Sequence, residues 1–154
     1  MSSDQAHAKS VELAFALVRE ADAPAEVTEE GLAALARRVL DDEGAGGCWD
    51  VTVALVDDER LRALHRDFMG IDTPTDIMTF PSDDGECHGG ELVISVDHAL
   101  TQAGAWGLSP ADEIRFLVIH GLLHLLGWRD DTGEERKRML GRQQALFDRW
   151  RLEG

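Results

Sequence analysis

A chain of 154 residues with 15 Lys and Arg against 30 Asp and Glu carries a formal net charge of −15. The length fits one domain, residues 1–154, burying roughly 70% of the surface its unfolded chain exposes, and a composition 44% hydrophobic and 29% charged needs no staples. Such acidity excludes a generic nucleic-acid binder, which relies on Lys and Arg to neutralise phosphates, but not a nucleic-acid enzyme with a locally arranged site. The imbalance is uneven, with 22 acids and 7 bases in residues 1–100 and eight of each in residues 101–154.

In chain order, Val11, Leu13, Phe15 and Leu17 alternate with Glu12, Ala14, Ala16 and Val18, which predicts a strand. Thr28 can cap a helix to about Asp42, with Leu32, Leu35, Ala36 and Val39 on one apolar face. Residues 43–47 are a glycine-rich loop, and Val51–Val56 is a β-branched strand. Asp57 or Asp58 caps a helix carrying Leu61, Leu64 and Phe68 inward. Asp76–Phe80 is a short strand stopped by Pro81, Ser82–Gly90 an exposed loop, and Glu91–Val96 a central strand. A helix from about His98 to Trp106 follows. Ser109, Pro110 and Asp112 open a helix that should end at Gly127, and the capping box of Thr132 and Glu135 opens another to about Trp150. Strands alternating with helices, then two closing helices, indicate an α/β or α+β domain. There is no internal repeat.

Cys48 and Cys87 are far apart and form no C-x-x-C, so they are expected to be free thiols in a reducing cytosol. The apolar run 11–18 is not expected to act as a signal peptide, since Asp4 and Glu12 fall where that pattern wants basic or apolar residues. Phe116–Trp128 is too short to span a bilayer. The expected location is cytoplasmic.

The chemistry concentrates in Ile119–Asp130. His120 and His124 are four apart, so on a helix both imidazoles project from one face and can chelate one metal ion. Gly127 frees the chain to turn back, bringing the Asp130 carboxylate to the same ion, with Asp131 as the adjacent alternative. Three protein ligands plus water is the open arrangement of catalytic zinc, which activates the water for hydrolysis. The zinc-peptidase pattern requires Glu directly after the first histidine. Here Gly121 stands there, so proteolysis is not expected.

The stretch from His120 to Trp128, His-Gly-Leu-Leu-His-Leu-Leu-Gly-Trp, resembles the signature of the YbeY endoribonucleases. Pro74–Pro81 resembles that family's P-T-D-V-L-S-F-P block, Gly90–Ser95 its G-D-I-x-I-S strand, and Val56–Glu59 leading to Leu64 its lead-in helix, so the likeness runs from about Val51 to Phe147. It implies an α+β domain with a small mixed sheet, one bound zinc held by His120 and His124, and single-stranded rRNA as substrate. It also implies a role in 3′-end maturation of small-subunit rRNA and in ribosome quality control, with the small subunit and its assembly proteins as partners.

Two positions depart from the family pattern. Asp130 replaces a third histidine, which keeps zinc sound while shifting preference toward harder ions such as Mn. Met69 replaces an arginine expected to hold a phosphate. Arg66, Arg115 and Arg129 are the available substitutes, each otherwise a solvated surface charge. Glu91 is a possible proton acceptor, Trp128 could stack on an RNA base, and Thr75 and Asp76 could brace a turn or orient a ligand histidine. His65 and His88 read as structural or exposed, and His7 and His98 have no partner at ligand spacing. The expected activity is metal-dependent cleavage of single-stranded RNA. The alternative, favoured by Met69, is a ribosome assembly factor with a mainly structural metal and weak or no nuclease activity.

Overall fold

In the computed structural model, which describes residues 10–82 and 85–153, four strands pair into one mixed sheet. They are β1 (Val11–Arg19), β2 (Gly47–Val56), β3 (Ile77–Pro81) and β4 (His88–Ser95), in the order β1-β2-β4-β3. β1–β2 and β2–β4 are parallel, and β3 runs antiparallel to β4. The expected β1 alternation holds, with Leu13, Phe15 and Leu17 turned inward and Glu12, Ala14, Ala16 and Val18 exposed. β3 begins and ends close to its expected bounds, and Pro81 sits at the sheet edge, where its missing N–H costs no ladder bond.

Five helices complete the fold: α1 (Glu29–Asp42), α2 (Asp58–Met69), α3 (Val96–Trp106), α4 (Pro110–Leu125) and α5 (Gly133–Glu153). Their starts follow the capping chemistry. Thr28, Asp57 and Ser109 each accept a first-turn N–H through the side chain. The Thr132–Glu135 box is reciprocal, Glu135 N donating to Thr132 Oγ1 and Thr132 N to Glu135 Oε1, each at 3.1 Å. One face of the sheet (Val51, Val53, Leu55, Leu92, Ile94) packs on α1, α4 and α5 in the main core. The other face (Ala54, Val56, Val93, Met78) is covered by Leu61 and Leu64 of α2.

Phe68, expected to point inward, is exposed and meets Phe80 edge to face. Two further expectations are corrected. The β4–α3 region starts early: β4 begins at His88, and Ser95 Oγ accepts from His98 N at 3.1 Å, so the helix starts at Val96, inside the expected strand. The Ser82–Gly90 loop shrinks accordingly, and its residues 83–84 lie outside the described residues, as does His7. Second, Cys48 and Cys87 are a disulfide, not free thiols. Their 39-residue separation hides the proximity, which arises because parallel β2–β4 pairing sets Trp49 beside His88 and so brings the two preceding residues to a Cα–Cα distance of 4.7 Å. No helix among the described residues is long and apolar enough to cross a membrane.

Candidate metal centre

α4 lies against β3 and β4 with Gly121 at the contact. A Cβ built there would stand 2.6 Å from Leu92 Cδ2 and 3.1 Å from Ile77 Cδ1. Residue 121 therefore faces the sheet, and a glutamate at that position would enter the core. His120 and His124 point instead to the open side, where their rings meet edge to face with centroids 4.7 Å apart. α4 ends at Leu125. Gly127 adopts φ +100°, a conformation that favours glycine, and Trp128 N closes the turn by donating to Leu123 O at 2.9 Å. The reversed chain brings Asp130 Oδ2 to 3.3 Å from His124 Nε2 and 3.7 Å from His120 Nε2.

Hydrogen bonding aims both histidines. His120 Nδ1 is 3.1 Å from Gln143 Oε1, while Gln143 Nε2 donates to Phe116 O at 3.0 Å. That second bond places the amide oxygen toward the ring, so His120 Nδ1–H donates and Nε2 keeps its lone pair. His124 Nδ1–H donates to Trp128 O at 3.1 Å with the same result. Donors about 2.0–2.2 Å from a tetrahedral zinc lie about 3.3–3.5 Å from one another, close to the His–Asp separations here. The three ligand atoms all fall within 4.8 Å of one another, so His120, His124 and Asp130 could hold a metal ion, and they are the sole such group of His, Cys, Asp and Glu among the described residues. The donor chemistry fits: two neutral imidazoles and a carboxylate suit zinc and its first-row neighbours.

The cluster stands on a ridge between two hollows that share Asp76, His120 and Asp130. A cleft of about 480 Å³ is lined by His65, Met69, Thr75 and His124, and a cavity of about 540 Å³ extends between α3, α4 and α5. Met69, in the position of the expected phosphate-binding arginine, is 61% exposed at the cleft.

Other predicted residues are not gathered here. Glu91 is exposed on the α2 side of β4, lining a hollow with Arg60 and Phe80, away from the cluster. Arg115 is engaged with Asp112 at 2.8 Å and Glu26 O at 3.3 Å. Arg66 pairs with its neighbour Asp67, and Arg129 lies in exposed pairs with Asp131 and Glu135. Trp128 does not present its ring for stacking: it packs on the main core and donates Nε1–H to Glu43 Oε1 at 2.9 Å, while its carbonyl steadies His124. Three residues escaped the sequence reading. Gln143 is a polar residue on the buried face of α5, Glu113 stands two turns before His120 on α4, and Arg136 lines the cavity and donates to Asp130 O at 3.3 Å. Their only sequence signal is a polar side chain on an otherwise apolar helix face. Burial pushes the Glu113 carboxyl up to about 7, with the Asp76 carboxylate adding to the rise, and Glu113 Oε1 has no hydrogen-bond partner.

Fold and site together define a small α+β domain that presents an open His-His-Asp cluster on a helix packed flush against its sheet. The chain belongs to the endoribonuclease YbeY family, whose sequence profile matches residues 17–151. It is 38% identical over 145 residues to the endoribonuclease YbeY of Moorella thermoacetica, covering 84% of this chain and 91% of that one. Identity to the Symbiobacterium thermophilum protein of the same description is 37% over 131 residues (77% and 84% of the chains). To that of Salinispora tropica it is 35% over 142 residues (82% and 90%). The fold is also that of a Thermotoga maritima structural-genomics target solved in solution, with a TM-score of 0.59 and 24% identity over 91% of this chain and 93% of that one.

Proposed function

We propose that this protein is a single-strand-specific, metal-dependent endoribonuclease that matures the 3′ end of 16S rRNA and takes part in ribosome quality control in the cytoplasm, with the small subunit and its assembly proteins as partners. The observation that carries the reading is the convergence of His120 Nε2, His124 Nε2 and Asp130 Oδ2 beside two hollows, in a chain of an endoribonuclease family. Zinc is the ion that the donor set suits best, and other divalent first-row ions remain compatible with it.

His120, His124 and Asp130 would hold the metal, which would supply Lewis-acid chemistry for phosphodiester hydrolysis. The chain's own residues do the rest. Gln143 and the Trp128 carbonyl hold both imidazoles with Nε2 free, so loading requires no change of tautomer. Asp130 supplies the anionic donor. An RNA strand entering the cleft passes His65 and Thr75 on its way to the cluster. Glu91 takes no part as a proton acceptor, given its place on the far side of the sheet.

Purified protein should contain about one transition metal per chain and cut a single-stranded rRNA fragment, and Asp130→Ala should lose both. A chain purified without chelator and free of metal would sink the reading. The assembly-factor alternative draws on Met69 at the cleft, and metal retained with no cutting would favour it.

A further inference from the structure

The cavity on the far side of the His120–Asp130 ridge is not needed to hold a metal, and its walls combine features that a structural void lacks. Its mouth is apolar and open: Trp106 of α3 is 71% exposed and Leu140 of α5 is 54% exposed. Phe116 and Phe147, packed edge to face with centroids 5.3 Å apart, form its base. Large exposed apolar side chains rimmed by polar ones mark binding surfaces. In the same wall lies Glu113, 2% exposed with Oε1 unpaired. Buried polar groups are nearly always hydrogen-bonded, so an orphan acceptor in the wall of a cavity points to a missing donor. Arg136 stands on this wall as well, 3.3 Å from the Asp130 carbonyl, within the basic run Arg136–Arg138. At about 540 Å³ the cavity falls within the roughly 300–1,000 Å³ of sites for small organic ligands.

An occupant must be flat and apolar on its faces, carry a hydrogen-bond donor on its edge, and be anionic beside it. An apolar protein segment carries backbone N–H donors but brings no anion for Arg136. A nucleotide meets all three. We propose that this cavity is a nucleotide subsite, in which a base splayed from single-stranded RNA lies between Trp106 and Leu140, its donor edge faces the wall that holds Glu113, and its phosphate is held by Arg136. The inference rests on the endoribonuclease reading and deepens it. Because the cavity shares His120 and Asp130 with the cleft, a base held there sets the neighbouring phosphate at the cluster. Arg136 thus takes up a phosphate-holding role that Met69 cannot fill. Aromatic stacking of unpaired bases is the common means of reading single-stranded RNA.

The test is a titration of the full-length, metal-loaded protein with AMP, CMP, GMP and UMP, read by tryptophan fluorescence and by calorimetry. Adenosine and ribose 5-phosphate serve as half-ligands. At least one nucleotide should quench emission and bind tenfold or more tightly than ribose 5-phosphate, and AMP should bind more tightly than adenosine. Trp106→Ala should abolish the quench and weaken binding at least tenfold, Leu140→Trp should block the mouth, and Arg136→Gln should erase the preference for AMP over adenosine. Trp106 and Leu140 are exposed, so neither variant disturbs the core. Cleavage of single-stranded RNA is measured alongside. Cleavage without nucleotide binding at millimolar concentration, or binding indifferent to all three substitutions, overturns the subsite and leaves the nuclease reading standing. Binding with the expected variant pattern but no cleavage supports the subsite and counts against the nuclease.

Discussion

Gly121→Ala and Gly141→Ala place the same methyl group inside two helices, and the structure assigns them opposite outcomes. Glycine in a helix interior costs about 1 kcal/mol relative to alanine, so both substitutions start with that gain. At Gly141 an added Cβ meets nothing within 4 Å. The gain there is realised in full, raising the melting temperature by roughly 2–4 °C for a domain of this size. At Gly121 the Cβ stands 2.6 and 2.9 Å from the two Cδ atoms of Leu92 and 3.1 Å from Ile77 Cδ1. Carbon atoms in contact prefer about 3.5–4.0 Å, so Leu92 must retreat by about 1 Å. Leu92 is fully buried in the main core, so its movement displaces further side chains. Overpacking of this kind costs about 1–3 kcal/mol. The two variants should therefore differ by about 1–3 kcal/mol, or roughly 2–12 °C in melting temperature, with Gly121→Ala the lower. Thermal and urea unfolding followed by circular dichroism measure this directly. Equal melting temperatures for the two variants would refute the claim that α4 is held flush on the sheet at residue 121. Metal content gives a second reading: lifting α4 tilts both histidines, so Gly121→Ala should bind metal less tightly while Gly141→Ala should match the parent.

The other predictions concern the metal, the disulfide and Glu113. Gln143→Leu removes the hydrogen bond that orients His120 and should weaken metal binding about 10–100-fold, as loss of a ligand's hydrogen-bond partner does. Asp130→Ala should weaken it further, and competition with a chromophoric chelator ranks the two; a Gln143 variant with parental affinity would count against the orienting role. The Cys48–Cys87 bridge closes a loop with a sequence separation of 39, which by chain entropy stabilises by about 4 kcal/mol. Dithiothreitol or Cys48→Ser should lower the melting temperature by roughly 8–16 °C, the untreated protein should titrate no free thiol, and coincident melts with and without reductant would exclude the bridge. Folding holds the Glu113 proton more tightly than the unfolded chain does, with a pKa raised from 4.5 to about 7. The stability this proton confers is complete below pH 4.5 and is lost as pH rises through about 7. Glu113→Gln, which does not ionise, should gain on the parent in melting temperature between pH 5 and pH 8 in chelator-treated protein; a difference independent of pH would contradict the shift.

What the chain shows in one dimension is what local rules govern. The β1 alternation, the caps at Thr28, Asp57, Ser109 and Thr132, and the glycine turn after α4 all act between near neighbours in the chain, and each appears where its residues demand it. His120, His124 and Asp130 span eleven residues joined by a helix turn and one reversal, so their convergence was equally readable. The misses need the third dimension. Cys48 and Cys87 meet only through the parallel β2–β4 register. Glu91 looks close to the site along the chain, yet strand alternation sends Leu92 toward α4 and Glu91 to the other face. Gln143, 23 residues from His120, becomes its partner because α5 folds back across α4.

The charge follows the same division. The acid excess lies wholly in residues 1–100, which supply the sheet, α1 and α2, while α4 and α5 draw on a balanced segment. An RNA strand passing this molecule meets repulsion from most of its surface. Its phosphates find cations chiefly along α5, at Arg136, Lys137 and Arg138, and the first of these borders the cavity beside the His-His-Asp cluster. Loose binding, which needs many scattered phosphate contacts, is thereby suppressed. The proposed subsite is where, among the described residues, a cation, an exposed tryptophan and the His-His-Asp cluster stand together. The acidity of the whole chain is compatible with RNA cleavage because it narrows where RNA can settle.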